Sequence, residues 1–149
     1  MNCIFCIILS GTAPASLVYR DEFGYAFMDI QPINPGHLLV IPVAHAANLS
    51  ELAPETGAQL FRVAQHLAAA LRRSGVQCQG VDLFLADGEA AGQEVFHVHL
   101  HVIPRFRGDG FGFRFPAAYA QRPSRLDLDQ VAEKIRRVGL EISPPPSAA

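Results

Sequence analysis

The order of elements read along the 149-residue chain is strand, strand, strand, helix, strand, strand, helix. This order predicts an α+β fold, an antiparallel five-stranded sheet with one long helix and a C-terminal helix. Three observations carry the prediction. Strands and helices do not alternate one by one, as a parallel βαβ array would require. His97, His99 and His101 recur at every second position with Val98, Leu100 and Val102 between them, which is the period of a half-buried strand. Residues Pro54 to Ser74 place apolar side chains at i, i+3 and i+4, the stripe of a helix lying on a core.

Each element has a local reason. Residues 1–10 read as a short helix or turn. Leu17 to Arg20 and Tyr25 to Ile30 read as strands, with Asp21-Glu22-Phe23-Gly24 turning between them. Gln31 to Gly36 is a loop punctuated by two prolines and a glycine. His37 to Ile41 is an apolar strand that Pro42 ends. In the long helix Pro54 suits the first turn, and Leu60, Val63, Ala64, Leu67, Ala68 and Leu71 form the stripe. Arg72 and Arg73 favour its C-terminal end, and Gly75 is the expected C′ residue. Val81 to Ala86 and Phe96 to Pro104 are the last two strands. A glycine-rich loop with aromatics follows at Arg107 to Phe113. Leu126 to Val138 is the second helix, capped by Ser124 or Asp127. No internal repeat or linker interrupts the chain. Residues 1–142 are expected to form one domain, and 143–149, with three prolines in succession, a disordered tail.

Composition narrows the function classes. The length suffices for one domain with a real core. Half the residues are apolar and 17% are charged, as in soluble globular proteins. A net charge of −2 gives no electrostatic case for nucleic-acid or membrane binding. The apolar run Ile4 to Leu9 is too short for a signal sequence, and no stretch reaches transmembrane length. A cytoplasmic protein is expected. Cys3, Cys6 and Cys78 are an odd set, which argues against a disulfide framework. Cys3-x-x-Cys6 has the spacing of half a zinc site. As a redox pair it would follow a strand and open a helix, and it sits at the N-terminus instead. Cys78 reads as a small buried or loop residue.

Residues two apart on one face of a strand are separated by about 6.6 Å. Imidazole serves as nucleophile, proton carrier or metal ligand. Side chains spaced so widely do not converge readily on one tetrahedral ion. The row therefore favours catalysis or ligand binding over a three-histidine metal site, or over one core histidine with two exposed ones.

The segment His97-Val98-His99-Leu100-His101-Val102-Ile103 resembles the His-φ-His-φ-His-φ-φ motif of the histidine triad (HIT) superfamily. The resemblance extends to Cys3-Ile4-Phe5-Cys6, Ala26 to Ile30, Pro35 to Pro42 with His45, Gly88 to Val95, and Pro104-Arg105, and it covers roughly residues 2 to 115. Its bacterial branch is the nearest pattern. The resemblance implies a HIT-like fold and a hydrolase or transferase. The substrate would be a purine nucleoside 5′-phosphate derivative, a nucleoside phosphoramidate or a dinucleoside polyphosphate. It implies His99 as the nucleophile that forms a nucleotidyl-histidine intermediate, a role that suits a neutral imidazole whose other nitrogen is held.

By the same resemblance His101 donates to phosphate oxygens, and His37 lies beside the nucleophile to orient it; a strand-end cap is the other reading of His37. Gln93 contacts phosphate, with backbone amides up to Val95 assisting. Asp29 accepts from the ribose hydroxyls, or is an ordinary strand-end aspartate. Phe5, Phe27 and Ile30 sandwich the base, or belong to the core. Cys3, Cys6, His45 and His97 match a structural zinc site, and two thiolates with two imidazoles make a closed tetrahedral set. No metal is needed for the chemistry itself. A homodimer is implied as well. Two positions depart from the family: Ala86 stands where many members carry asparagine, and Glu94 where several carry serine or threonine near the leaving group. The alternative functions are a nucleotide-sensing protein with little turnover and a zinc-stabilised interaction protein. No Walker loop is present, which excludes a P-loop mechanism.

Overall fold

Alternating side chains give one sheet two unlike faces, and the rest of the fold follows from what covers each. The computed structural model describes residues 3–138; the expected proline-rich tail lies outside them. The strands are β1 (Leu17–Arg20), β2 (Gly24–Met28), β3 (Leu38–Pro42), β4 (Gly80–Phe84) and β5 (Leu100–Arg105). They form one five-stranded sheet in the order β1-β2-β3-β5-β4, with every neighbour antiparallel. Two helices accompany them before the C-terminal segment, α1 (Ile4–Leu9) and α2 (Pro54–Leu71).

Residues directly opposite in an antiparallel pair share a face. Ala26 pairs with Val40 and Val40 with Leu100, while Leu38 pairs with both Met28 and Val102. This face packs against Leu60, Val63, Ala64, Leu67 and Leu71, the predicted stripe of α2. Phe27 pairs with Leu39, and Leu39 with His101. That second face holds Tyr25, Phe27, Leu39 and Ile41 under Cys3 and Phe5 at the start of α1. One face is thus wholly apolar, and the other continues from an apolar patch into histidines.

The predicted elements stand, with boundaries moved for local reasons. β2 ends at Met28 because the Asp29 Oδ1 accepts from the Gln31 N–H at 2.8 Å and turns the chain. β5 begins only at Leu100. The His97 N–H bonds the Val95 carbonyl at 2.9 Å and the Val98 N–H bonds Ala46 at 2.8 Å, so residues 96–99 approach as a bent segment. β4 runs Gly80–Phe84 rather than Val81 to Ala86. α2 ends at Leu71 with Arg72 as C-cap; Gly75, at φ +84°, lies beyond the cap in the following turn instead of at C′.

The chain divides into two compact units, Met1–Phe111 and Gly112–Ala149. Within the second, α3 (Arg125–Arg137) begins at a capping box in which the Ser124 side chain and Asp127 each bond the other's backbone. Both candidate cap residues are therefore used. Among the described residues no helix is long and apolar enough to cross a membrane.

Gly36 sets the entry to β3. Its φ is +97°, and a Cβ there would lie 2.9 Å from Val76 Cγ1 and 3.2 Å from Leu71 Cδ2. Left-handed backbone and close approach both demand glycine. Gly36→Ala is expected to destabilise the fold by about 1–3 kcal/mol, read from the urea midpoint at constant m-value.

Candidate active site and metal cluster

Period two on three neighbouring strands brings the polar residues together. Asp29 continues the Tyr25, Phe27 side of β2, His37 precedes Leu39 on β3, and His101 lies opposite Leu39 on β5. The Asp29 N–H donates to the His37 carbonyl at 3.0 Å and extends the ladder to these two residues. The His37 Nε2 then meets His101 Nδ1 at 2.9 Å, and Asp29 Oδ2 lies 3.5 Å from His37 Nδ1. His99 packs edge to face on His101, with ring centroids 4.9 Å apart.

Backbone partners determine which nitrogen of each ring carries the proton. His99 Nδ1 lies 2.7 Å from the His97 carbonyl oxygen, which can only accept. Nδ1 is therefore protonated, and Nε2 of the neutral ring carries a free lone pair. The Ile33 N–H donates to His37 Nδ1 at 3.2 Å. His37 accordingly holds its proton on Nε2 and donates it to His101 Nδ1, so the neutral His101 ring presents Nε2–H. A free lone pair and a hydrogen-bond donor thus sit on neighbouring rings.

Electrostatics favour the neutral forms of His101 and His37. His101 is pushed down to about 4 by burial, with the neighbouring His99 and His37 acting in the same direction. Burial also lowers His37, against a smaller upward pull from Asp29. Asp29, His37 and His101 are close enough to share a cation. The hydrogen bonds already made at both nitrogens of His37 favour a proton-linked row instead.

The third histidine faces elsewhere. The fully buried His97 donates from Nε2 to the Pro42 carbonyl at 2.9 Å, which leaves its Nδ1 lone pair free. That nitrogen lies 3.4 Å from Cys3 Sγ, 3.7 Å from Cys6 Sγ and 3.2 Å from His45 Nδ1, and Cys6 Sγ is 3.4 Å from His45 Nδ1. Zn–N and Zn–S bonds of ordinary length in a tetrahedron put two nitrogens about 3.3 Å apart, and a nitrogen and a sulfur about 3.6 Å apart. These four distances match those values and all four ligand atoms lie within 4.8 Å of one another, so the residues present fit a zinc ion.

His37 bonds His101 at 2.9 Å, while the His97 carbonyl holds His99. Gln93 is 3% exposed and its amide is spent on the backbone. Its Oε1 accepts from the Gly88 N–H at 2.8 Å, and its Nε2 donates to Ala47 at 2.7 Å and Val95 at 3.1 Å. It braces the loop and has no donor left for a phosphate. Phe5 and Phe27 are buried, with Phe5 edge-on to Phe27, His97 and His99 at 5.7, 5.7 and 5.3 Å. Both are core side chains, and Ile30, 95% exposed, is the one member of that trio open to a base. Glu94 is exposed and Val95 packs beside the Phe5 cluster. The three triad histidines do not share one strand, since His101 alone lies within β5. The groups that sequence reasoning missed are main-chain ones: the carbonyls of Pro42 and His97 and the N–H of Ile33. No side chain marks them in a sequence.

Comparison with known proteins follows the same outline. The family model for the HIT domain matches residues 10–108. A HIT family member from Bacillus subtilis, known from its crystal structure, is 39% identical and superimposes with a TM-score of 0.83 over 92% of this chain and 96% of that one. A zinc-bound histidine triad family protein from Mycobacterium smegmatis is 41% identical, with a TM-score of 0.73 over 90% of this chain and 98% of that one. Adenylylsulfatase HINT3 of Arabidopsis thaliana is 32% identical over 137 residues, covering 90% of this chain and 66% of the relative.

The lowered histidine pKa values have a sign that can be tested. His101 in the folded state takes up its proton only near pH 4, whereas in the unfolded chain it does so near 6.5. The unfolded state therefore binds more protons between these values, and stability is lost as the pH falls through that window. In His101→Asn the loss between pH 7 and pH 4.5 is expected to be smaller than in wild type. Urea midpoints of both proteins, measured with chelator present throughout, check this.

Proposed function

The chain belongs to the HIT family, and on that premise we propose that it is a purine-nucleotide-binding hydrolase or transferase. It cleaves nucleoside 5′-phosphate derivatives, phosphoramidates or dinucleoside polyphosphates, through a nucleotidyl-His99 intermediate. The observation that carries this reading is the 2.7 Å bond from His99 Nδ1–H to the His97 carbonyl. It holds Nε2 unprotonated, the form in which an imidazole attacks. His99 Nε2 attacks the α-phosphorus, and the bond from phosphorus to the leaving group breaks with its electron pair going to that group. Water then cleaves the P–N bond and regenerates the ring.

His101 is held by His37 with Nε2–H available, and it donates to the phosphoryl oxygens as negative charge builds on them. Asp29, side chain 16% exposed beside His37, serves the ribose hydroxyls. Ile30 covers one face of the base. The relationship to a protein named adenylylsulfatase supports the substrate class, since an adenylylsulfate is itself a nucleoside 5′-phosphate bearing a leaving group.

Cys3, Cys6, His45 and His97 hold a structural zinc, which ties α1 to the sheet. Kinship with a zinc-bound relative supports this assignment. The chain acts as a homodimer in the cytoplasm. Ala86, buried and without a side-chain amide to offer a phosphate, favours a second reading, a nucleotide sensor with little turnover.

Intact-protein mass spectrometry, quenched rapidly after mixing with an adenosine phosphoramidate, separates the two readings. Wild type is expected to show a transient adenylyl adduct. His99→Gly is expected to show none and to lose about 10⁴-fold or more in turnover, the scale of removing a catalytic nucleophile. AMP binding without adduct or product in wild type would favour the sensor. Metal analysis is expected to find one zinc per chain in wild type and little in Cys3→Ala.

A further inference from the structure

We infer that the Cys3, Cys6, His45, His97 cluster is a positioning device for His99, beyond its value as a staple. The inference rests on the reading of His99 as the nucleophile. It starts from one residue with two duties. The His97 ring belongs to the cluster, and the His97 carbonyl is the acceptor that selects the His99 tautomer.

The ring and main chain of His97 have little independent freedom. Nε2 donates to the Pro42 carbonyl at 2.9 Å, and Nδ1 faces Cys3 and Cys6 at 3.4 and 3.7 Å and His45 at 3.2 Å. On the main chain, the N–H of His97 bonds Val95 at 2.9 Å and the next N–H, that of Val98, bonds Ala46 at 2.8 Å. With ring, Cα and flanking amides held, the carbonyl points one way, at His99 Nδ1. The segment is a bend outside the ladder of β5; the bond that holds this peptide, from the Val98 N–H, goes to the carbonyl of Ala46, the residue next to His45, so its direction is anchored beside the cluster.

A second route reaches the same ring. Cys3 is the N-cap of α1 and Cys6 lies within it, so the cluster fixes this six-residue helix. Phe5, between the two cysteines, stands edge-on to His97 at 5.7 Å and to His99 at 5.3 Å. The cluster thereby sets both the hydrogen-bond partner of His99 and the aromatic wall beside it. His45 is its exposed member, and Cys3 and His97 its buried ones. A break at His45 therefore loosens the cluster with least damage to packing.

The test uses the full chain in its zinc-loaded form, His45→Ala, and His45→Cys, which restores a ligand. Four quantities are compared: zinc content, melting temperature, AMP affinity, and the tautomer of His99 read from ¹⁵N ring shifts. The rate of adenylyl-adduct formation is followed in parallel. His45→Ala is expected to lose zinc and to mix the His99 tautomers. Adduct formation should slow by about 10- to 100-fold, the range for removing a group that orients a reacting one, with AMP affinity little changed. His45→Cys should recover tautomer and rate.

A fall in melting temperature with tautomer and rate unchanged would overturn the inference and leave the cluster a staple. Failure of His45→Cys to recover either readout would overturn it too. If wild type forms no adduct, the nucleophile reading fails, and the tautomer shift alone still decides whether the cluster controls His99. Should His45→Ala not fold, the same readouts on Cys6→Ser and on wild type stripped by chelator decide the matter.

Discussion

A buried imidazole needs a partner at each nitrogen that is cut off from solvent. This constraint organises the site. His37, His97 and His99 are all buried, and among the described residues no buried side-chain polar atom lacks a hydrogen-bond partner. Backbone groups supply the decisive partner in every case: Ile33 N–H for His37, the Pro42 carbonyl for His97, and the His97 carbonyl for His99. A carbonyl can only accept and an N–H can only donate, so the main chain dictates the tautomers. A lone pair at one ring and an N–H at the next follow from that dictation.

The sheet makes the arrangement possible by giving its faces different work. The α2 face is an apolar core from Ala26 to Val102 and supplies the burial that holds the strands in register. The α1 face is thereby freed to carry Asp29, His37 and His101. The far end of β5 is held by charge. Arg105 pairs with Asp82 and Asp109 and lies 4.8 Å over the Phe111 ring. The guanidinium holds the Asp109 carboxyl well below the usual carboxylate range. Asn34 donates to Asp109 and to the Pro104 carbonyl, both at 2.9 Å. The loop that leads through Gly36 to His37 is thus tied to the strand that carries His101, and the 2.9 Å contact between the two rings rests on that tie.

The alternation of histidines conceals a division of labour. His97 and His99 are two residues apart, yet their rings serve different sites. The bend at residues 96–99 turns the first ring to the cysteines and leaves the second with Phe5 and His101. One peptide carbonyl joins the two sites. Gln93 supports the bend from beneath, with its amide given over to the loop backbone.

What the sequence determined by itself was whatever depends on local periodicity: five strands, the α2 stripe, the cap at Ser124, and the face shared by alternate residues. Motif resemblance supplied the cysteine–histidine set, which the geometry brings within ligand distances. The tertiary structure alone decided the partners. It gave His37 to His101, drew Gln93 and Phe5 inward, and began β5 at Leu100, after two of the three histidines. The physical reason is common to all of these. A sequence lists side chains, whereas tautomer, orientation and strand ends here depend on main-chain carbonyls and amides, which every residue carries and only folding aims.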